Sequence, residues 1–233
     1  IIWKDVKKII NTKLGDVILK RIESEAFSIN PKRFIVRTTD ENNPKKIFSD
    51  EWKELQIAVK DASHDYHLMT LSTSTNNKPE SRTVVLRHAD QENYLLCFHT
   101  DTRSPKYDQL KNNPDVSILF YSVNKRTQLR IIGQASHCED DELLESKWMG
   151  MNKNSRECYL GEIAPSEKIP NGKIINEVIN KGQDTNKFLG LENFTRIDIK
   201  ISSIEILRLH HLGHKRLFCN LEKNPIDYQW LAS

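Results

Sequence analysis

The middle of the chain is a series of short runs in which apolar and polar residues alternate, most of them separated by fewer than ten residues. The runs are Tyr66–Thr73, Arg82–His88, Tyr94–His99, Val116–Ser122 and Gln128–His137. Parallel strands need a crossover of about a dozen residues or more, so strands this close together pair antiparallel. So many antiparallel strands in sequence predict a barrel or a sandwich rather than a doubly wound sheet.

Helical periodicity flanks this β-rich region on both sides. Residues 1–48 fit one or two amphipathic helices, and a further helix is predicted to begin at Ser49 and to end before His64. Later segments predict helices at Asp140–Met149 and Ile174–Lys181, and strands at Thr195–Ile201, Ile204–His210, Arg216–Leu221 and Ile226–Leu231. We therefore expect a mainly β fold with flanking helices (α+β), with an N-terminal extension at 1–48 and one domain at 49–233.

Charge and cysteine content narrow the class of protein. The formal net charge is only +3, which gives no electrostatic reason for the whole molecule to coat nucleic acid or an anionic membrane. No run approaches the roughly 18 apolar residues of a membrane-spanning helix, and the N-terminus has no signal-peptide pattern. The four cysteines lack C-x-x-C spacing, so we expect reduced, mostly buried thiols, no metal site and a cytoplasmic protein.

The segment after the third predicted strand has the features of an anion site. Ser104 suits the N-cap of a short helix, and Pro105 suits its first position. The free amides and dipole of a helix N-terminus favour an anion, and Thr100 and Lys106 add a hydroxyl and an ammonium group. The alternative is a capped surface helix with a solvated lysine, which this segment taken alone favours.

A second basic group lies within a predicted strand. The period of two places Arg82, Val84 and Leu86 on one face, and Thr83, Val85 and Arg87 on the other. A guanidinium on an apolar face is costly unless it meets an acceptor. A phosphate at the neighbouring helix start would supply one, and so would an acidic side chain such as Glu80 or Asp101, so both partners remain open here.

A third polar group lies on the strand at Gln128–His137. Gln128 and Arg130 share one face, while Leu129 and Ile131 point to the other. An amide that is both donor and acceptor suits the edge of a heteroaromatic ring. The alternative is that both polar side chains face water on a one-sided sheet.

The order of these motifs resembles the FMN-binding core of the pyridoxamine 5′-phosphate oxidase family. The motifs are Arg82-x-Val84-x-Leu86-Arg87, Phe98-His99-Thr100, Ser104-x-Lys106, Asn112-Asn113-Pro114 and Gln128-x-Arg130-x-x-Gly133. The resemblance covers about residues 55 to 233 and is strongest between residues 82 and 135. It implies an antiparallel split β-barrel homodimer with one FMN per subunit at the dimer interface.

The resemblance also implies which residues bind the cofactor. They are Arg82, Thr83, Val84, Val85, Leu86, Arg87, His99, Thr100, Ser104, Lys106, Gln128 and Arg216. Arg82 and Lys106 would hold the phosphate, assisted by Ser104 and Thr100, and Arg216 would reach the flavin from the partner subunit. Pro105 stands where the family often has arginine, and Arg103 is the candidate to replace that charge.

The function implied by the resemblance is that of an FMN-dependent oxidoreductase. Hydride would pass from a small substrate, with amines among the candidates, to N5 of FMN. The family's substrate residues have no clear copies here, and Leu207 replaces a family tryptophan, so vitamin B6 oxidase activity stays open and no catalytic residue is assigned. The alternatives are a flavin-binding module without turnover, the same barrel holding a deazaflavin or haem and, least favoured, a nucleic-acid binder.

Overall fold

Nine β-strands form one antiparallel sheet in the computed structural model, which describes residues 42–169 and 186–232. The strands are β1 Leu68–Thr75, β2 Lys78–Val85, β3 His88–Asp90, β4 Leu95–Asp101, β5 Asp115–Ser122, β6 Thr127–His137, β7 Phe194–Arg208, β8 Lys215–Asn220 and β9 Asp227–Leu231. The helices in the described residues are α1 Pro44–Lys60, α2 Pro105–Asn112, α3 Asp141–Met149 and α4 Lys153–Glu157. The mainly β fold class is confirmed, whereas the helices predicted before residue 42 and at 174–181 lie outside the described residues.

The long strand β7 divides the sheet into two branches. On one side β7 pairs with β6 along most of its length. On its other side, the first half of β7 pairs with β4, and the second half pairs with β8. The order β2-β1-β5-β6-β7-β4-β3 therefore continues past β7 on one branch, while β8 and β9 form the other.

A β-bulge in β7 explains why the sequence predicted two strands there. The register with β6 shifts beside Ile132 and Gly133, so that Ser202 has no partner in the ladder. Ile201 before the bulge and Ile204 after it are both buried, although an unbroken alternation would place them on opposite faces. The interruption of the period at this point is a local irregularity within one strand, and the prediction of two separate strands is wrong.

Helix α1 packs against the apolar side of the sheet. It buries Ile47, Phe48, Trp52, Leu55 and Ala58. It begins at Pro44 rather than at the predicted Ser49, because the side chain of Asn43 accepts hydrogen bonds from the amides of Lys45 and Lys46 and so caps the helix. Asn43 is thus the N-cap of α1.

An ion pair inside the core joins α1 to β7. The carboxylate of Glu51 is 2.6 Å from Arg208 Nη2 and accepts a hydrogen bond from Tyr66 Oη at 3.1 Å. Burial and the neighbouring Glu51 charge raise the pKa of Tyr66 well above its usual range. Because removing one partner would leave a buried charge, this contact fixes where α1 lies on the sheet.

The four cysteines differ in how deeply they are buried. All four cysteines are free, and burial raises the pKa of Cys97 and of Cys219 to about 12. Cys138 is half-buried and Cys158 is exposed, so the expectation of mostly buried thiols holds for only two of the four.

Across residues 42–169 and 186–232, no helix has the length and apolarity needed to cross a membrane.

Candidate functional site

Helix α2 begins directly where β4 ends, as the sequence predicts. Ser104 occupies the N-cap with φ −76° and ψ 144°, and Pro105 occupies the first turn. The Ser104 hydroxyl does not cap the helix but donates to the carbonyl oxygen of Asp101 at 2.7 Å. Pro105 has no N–H, and the amides of Ser104 and Tyr107 donate to the carbonyl oxygens of Asp101 and Ser104 at 3.1 and 2.9 Å. Among the described residues, the Lys106 amide is therefore the one first-turn donor directed at a group in front of the helix.

Two hydroxyls and an ammonium group lie together at this helix start. Lys106 Nζ donates to Thr100 Oγ1 at 3.0 Å, and Thr100 Oγ1 is 3.2 Å from Ser104 Oγ. Burial lowers the pKa of Lys106, and the positive charge of Arg82 lowers it further, whereas Asp101 opposes the shift. Among the described residues Lys106 forms no ion pair with a carboxylate. Two neighbouring cations, of which Lys106 has no carboxylate partner among the described residues, are the arrangement that we expect of an anion site.

Arg82 points inward on β2, next to the buried residues Val84 and Leu86, as predicted. Its Nη1 donates to Thr73 Oγ1 at 2.6 Å and to the carbonyl oxygen of Glu80 at 3.2 Å. Its Nη2 donates to Gln109 Oε1 at 2.8 Å and lies 3.4 Å from Glu80 Oε2. Of the two acidic partners left open, Glu80 is therefore in weak contact, and Asp101 is not the partner.

Asp101 is held by Arg103 instead. The carboxylate accepts from Arg103 Nε at 3.0 Å and from Nη2 at 2.7 Å, while Arg103 Nη1 donates to the carbonyl oxygen of Gly161 at 2.7 Å. The expectation that Arg103 replaces the family arginine is thus wrong, because its guanidinium is committed to the neighbouring carboxylate two residues away. Its charge ties the loop after β4 to the segment that follows α4.

Sequence reasoning missed Gln109 and Thr73, the two residues that hold Arg82. Gln109 Oε1 accepts from both Arg82 and Thr73, and Gln109 Nε2 donates to Glu80 Oε2 at 2.9 Å. A signal for each existed: Gln109 lies three residues after Lys106, on the same side of α2, and Thr73 continues the inward face of Met69 and Leu71. The two residues connect α2 to the β1–β2 hairpin.

The other predicted residues of β2 and β4 lie close to this cluster along the same strands. Thr83 and Arg87 are exposed and Val85 is half-buried, on the face opposite to Arg82. The His99 ring packs edge-on against Phe194 at 4.9 Å, and within the described part of the chain its buried Nδ1 has no hydrogen-bond partner. Burial, assisted by the charge of Arg87, lowers the pKa of His99 to about 3, so the ring is neutral at neutral pH.

Gln128 and Arg216 form a separate group on the outward face of the sheet. Gln128 pairs with Leu207, which pairs with Arg216, across β6, β7 and β8. Arg216 Nη2 is 2.9 Å from Glu205 Oε1, and its buried Nε has no acceptor in the described residues. No hydrogen bond between described residues connects this group to Arg82 or Lys106. The Arg216 Nε is therefore a buried donor that is not used by the described residues.

The fold matches solved structures of one class of protein. A pyridoxamine 5′-phosphate oxidase-related, FMN-binding protein from Nostoc punctiforme superposes with a TM-score of 0.64 at 18% identity, over 80% of this chain and 97% of that one. The antiparallel sheet that divides at β7 therefore has the split-barrel fold of that class of protein.

Sequence comparisons give the family. A pyridoxine/pyridoxamine 5′-phosphate oxidase of Leptospira interrogans is 30% identical over 159 residues, which cover 66% of this chain and 71% of that protein. A pyridoxine-5′-phosphate oxidase of Dictyostelium discoideum is 30% identical over 128 residues, covering 54% of this chain and 53% of that protein. The family model described as pyridoxamine 5′-phosphate oxidase, FMN-binding domain, matches residues 49–139. The chain belongs to the pyridoxamine 5′-phosphate oxidase family, and its cofactor is FMN.

The residues at the start of α2 fit this cofactor. FMN carries a phosphate monoester, and Lys106, Arg82 and the free Lys106 amide at the start of α2 supply positive charge and donors of the kind a phosphate takes up. The unpartnered Nε of Arg216 supplies a further buried donor elsewhere in the sheet. The donor chemistry of the chain is therefore consistent with a phosphorylated, heteroaromatic cofactor.

Proposed function

We propose that this protein is an FMN-dependent oxidoreductase that removes a hydride from a small substrate, with amines as the first class to test. The family supports the reaction class, and two of its members bear the names of oxidases of pyridoxine or pyridoxamine phosphate. The observation that carries the proposal is the pair of cations, Lys106 and Arg82, at the uncapped start of α2. FMN, when bound, supplies an N5 atom that accepts hydride.

We assign the cofactor-binding roles residue by residue. Arg82 and Lys106 bind the phosphate together with the Lys106 amide, and Thr100 orients the Lys106 ammonium group through the 3.0 Å hydrogen bond. The Ser104 hydroxyl proton is committed to Asp101, so Ser104 contributes chiefly by forming the turn that precedes α2. Residues 83–87 line the flavin, and the neutral His99 ring, packed against Phe194, adds no charge to the site.

A homodimer with FMN at the interface is the second part of the proposal. Gln128 and Arg216 lie on the outward face of the sheet, where large apolar side chains are also exposed. These side chains are Leu68, Leu119, Tyr121 and Ile132. Exposed apolar patches of this kind are typical of interfaces, and a second copy seated here brings its Gln128 and Arg216 to the cofactor of the first.

The test is reduction of the bound flavin by candidate substrates. We expect the purified protein to absorb as a flavoprotein, and its oxidised flavin band to bleach under anaerobic conditions when a substrate amine is added. Pyridoxamine 5′-phosphate belongs in the panel, because it tests vitamin B6 oxidase activity itself. Bound FMN that no amine or alcohol reduces would contradict the oxidoreductase proposal and favour a flavin-binding module without turnover.

A further inference from the structure

Glu80 brings a negative charge into the anion site. It lies on β2, which pairs with β1 alone in the described part of the sheet, and the period of two places it on the same face as Arg82. Its carboxylate is 3.4 Å from Arg82 Nη2 and accepts a 2.9 Å hydrogen bond from Gln109 Nε2. The Glu80 side chain is 56% exposed, whereas Gln109 is 8% exposed, so the carboxylate is at the solvent edge of a buried network.

All four terminal N–H groups of Arg82 already have acceptors. Nη1 donates to Thr73 and to the Glu80 carbonyl, and Nη2 donates to Gln109 and to the Glu80 carboxylate. An oxyanion that binds the end of this guanidinium must therefore displace one of these acceptors or share its donor. The Glu80 carboxylate is the longest of the four contacts and its oxygen is the one charged acceptor among them, so it is the acceptor that a phosphate replaces most readily.

We propose that Glu80 competes with the FMN phosphate for Arg82 and thereby sets the affinity of the site for phosphorylated ligands. This inference rests on the proposed phosphate role of Arg82 and Lys106. The carboxylate acts in two ways: it occupies Nη2 of Arg82, and its charge repels an approaching phosphate. Gln109 Nε2 holds the carboxylate in this position. Glu80 is thus a specificity-determining residue that weakens binding of anions.

The proposal predicts a gain of affinity, which a merely structural role does not. Glu80→Gln keeps the length of the side chain and an oxygen that Gln109 can bond, but removes the charge. We expect its dissociation constant for FMN to fall about 2- to 5-fold, the range for a partly exposed ion pair. Riboflavin, which lacks the phosphate, should bind to the variant as to the wild type. Added salt should shrink the FMN difference.

Two further variants complete the experiment. Glu92→Gln, in the β3–β4 turn, removes the same charge outside the Arg82 network and should leave both affinities unchanged. Glu80→Ala removes the charge and the Gln109 hydrogen bond together, and thermal melts of each variant check the fold. FMN affinity that is unchanged or weaker in both folded Glu80 variants overturns the inference. A wild-type protein that binds riboflavin as tightly as FMN instead overturns the proposed phosphate site itself.

Discussion

At the residue scale, Gln109 is the side chain that holds both Arg82 and Glu80 at the proposed anion site. Gln109→Glu keeps an oxygen for Arg82 but turns the amide nitrogen, which donates to Glu80 at 2.9 Å, into a second negatively charged oxygen. We expect FMN affinity to fall about 10-fold, because the new carboxylate neutralises Arg82 and two carboxylates repel each other. Titration with FMN and riboflavin measures the effect.

Gln134 provides the matched control for Gln109. Its Nε2 donates to Asp115 at 3.0 Å in an exposed position on β6, so Gln134→Glu makes the same chemical change beside a carboxylate elsewhere. The control should bind FMN as the wild type does. Equal loss of FMN affinity in the two variants would mean that the change in net charge, and not the position beside Arg82, is responsible.

His99 gives a pH dependence whose sign is fixed by burial. Its pKa is about 3 in the folded protein, below the ordinary value of about 6.5, so the unfolded chain binds the proton first as pH falls. The contribution of the neutral His99 to the free energy of unfolding is therefore complete above about pH 6.5. It is lost as the pH falls from about 6.5 to about 3, by up to about 1.4 kcal/mol per pH unit. His99→Phe should flatten this dependence in thermal melts recorded from pH 8 to 4. An unchanged slope would show that His99 is solvated.

Single residues in the site could be predicted from the sequence where the chemistry is local. The inward direction of Arg82 follows from strand alternation, and the position of Ser104 at the N-cap follows from residue preference at helix starts, although its hydroxyl does not cap the helix. Partners that are distant in sequence could not be predicted, because a one-dimensional pattern does not show that Gln109 meets Arg82 across 27 positions. The role of Arg103 as a replacement for the family arginine was wrong because its guanidinium forms an ion pair with Asp101, two residues away.

At the element scale, the bulge in β7 requires a close approach of two backbones. A Cβ atom on Gly133 would lie nearer to the Lys200 carbonyl oxygen than real Cβ atoms come. Because the clash is with backbone rather than a flexible side chain, Gly133→Ala should destabilise the protein by about 2 kcal/mol or more in urea unfolding. Gly150→Ala, where the nearest atoms are at 3.5 Å, is the control and should unfold close to the wild type. Equal stability of the two variants would contradict the packing seen at the bulge.

Element boundaries illustrate why patterns alone misplace strands and helix starts. The strands predicted around Val116–Ser122 and Gln128–His137 agree with β5 and β6 to within a residue, because one face of each is buried and the alternation is uninterrupted. The start of α1 was missed by five residues because Asn43-Pro44 is equally typical of a turn and of a helix cap. The hydrogen bonds that the Asn43 side chain accepts from the Lys45 and Lys46 amides show that it is a helix cap.

At the scale of the whole molecule, the exposed apolar face of the sheet gives a test of the proposed dimer. Ile132 on β6 and Ile57 on α1 have similar exposure, 49% and 51%. Ile132→Lys should yield monomers in light scattering and weaker FMN binding, since a buried lysine disfavours the interface and a monomer lacks the partner's Gln128 and Arg216. Ile57→Lys should leave both the molecular mass measured by light scattering and the affinity for FMN unchanged. A wild-type monomer that binds FMN would contradict the interface proposal.

The antiparallel class of the molecule was predictable because the strands lie too close together in sequence for crossovers. The division of the sheet at β7 was not, because it depends on one strand pairing with β4 and β8 along different halves of the same edge. Pairing choices of this kind are made by three-dimensional packing, which the alternation pattern does not contain. The family resemblance, and not periodicity, supplied the split-barrel expectation.

The most direct measurement is the affinity of Lys106→Ala for FMN and for riboflavin. Removing a charge-assisted donor should cost about 1.5 to 3 kcal/mol of FMN binding, while riboflavin binding stays as in the wild type. Lys111→Ala removes an exposed lysine from the same helix and should change neither affinity. We predict that only the Lys106 variant loses affinity, and that it loses affinity for FMN but not for riboflavin. Equal losses of affinity for FMN and riboflavin, or no loss for either, would contradict a phosphate site at Lys106.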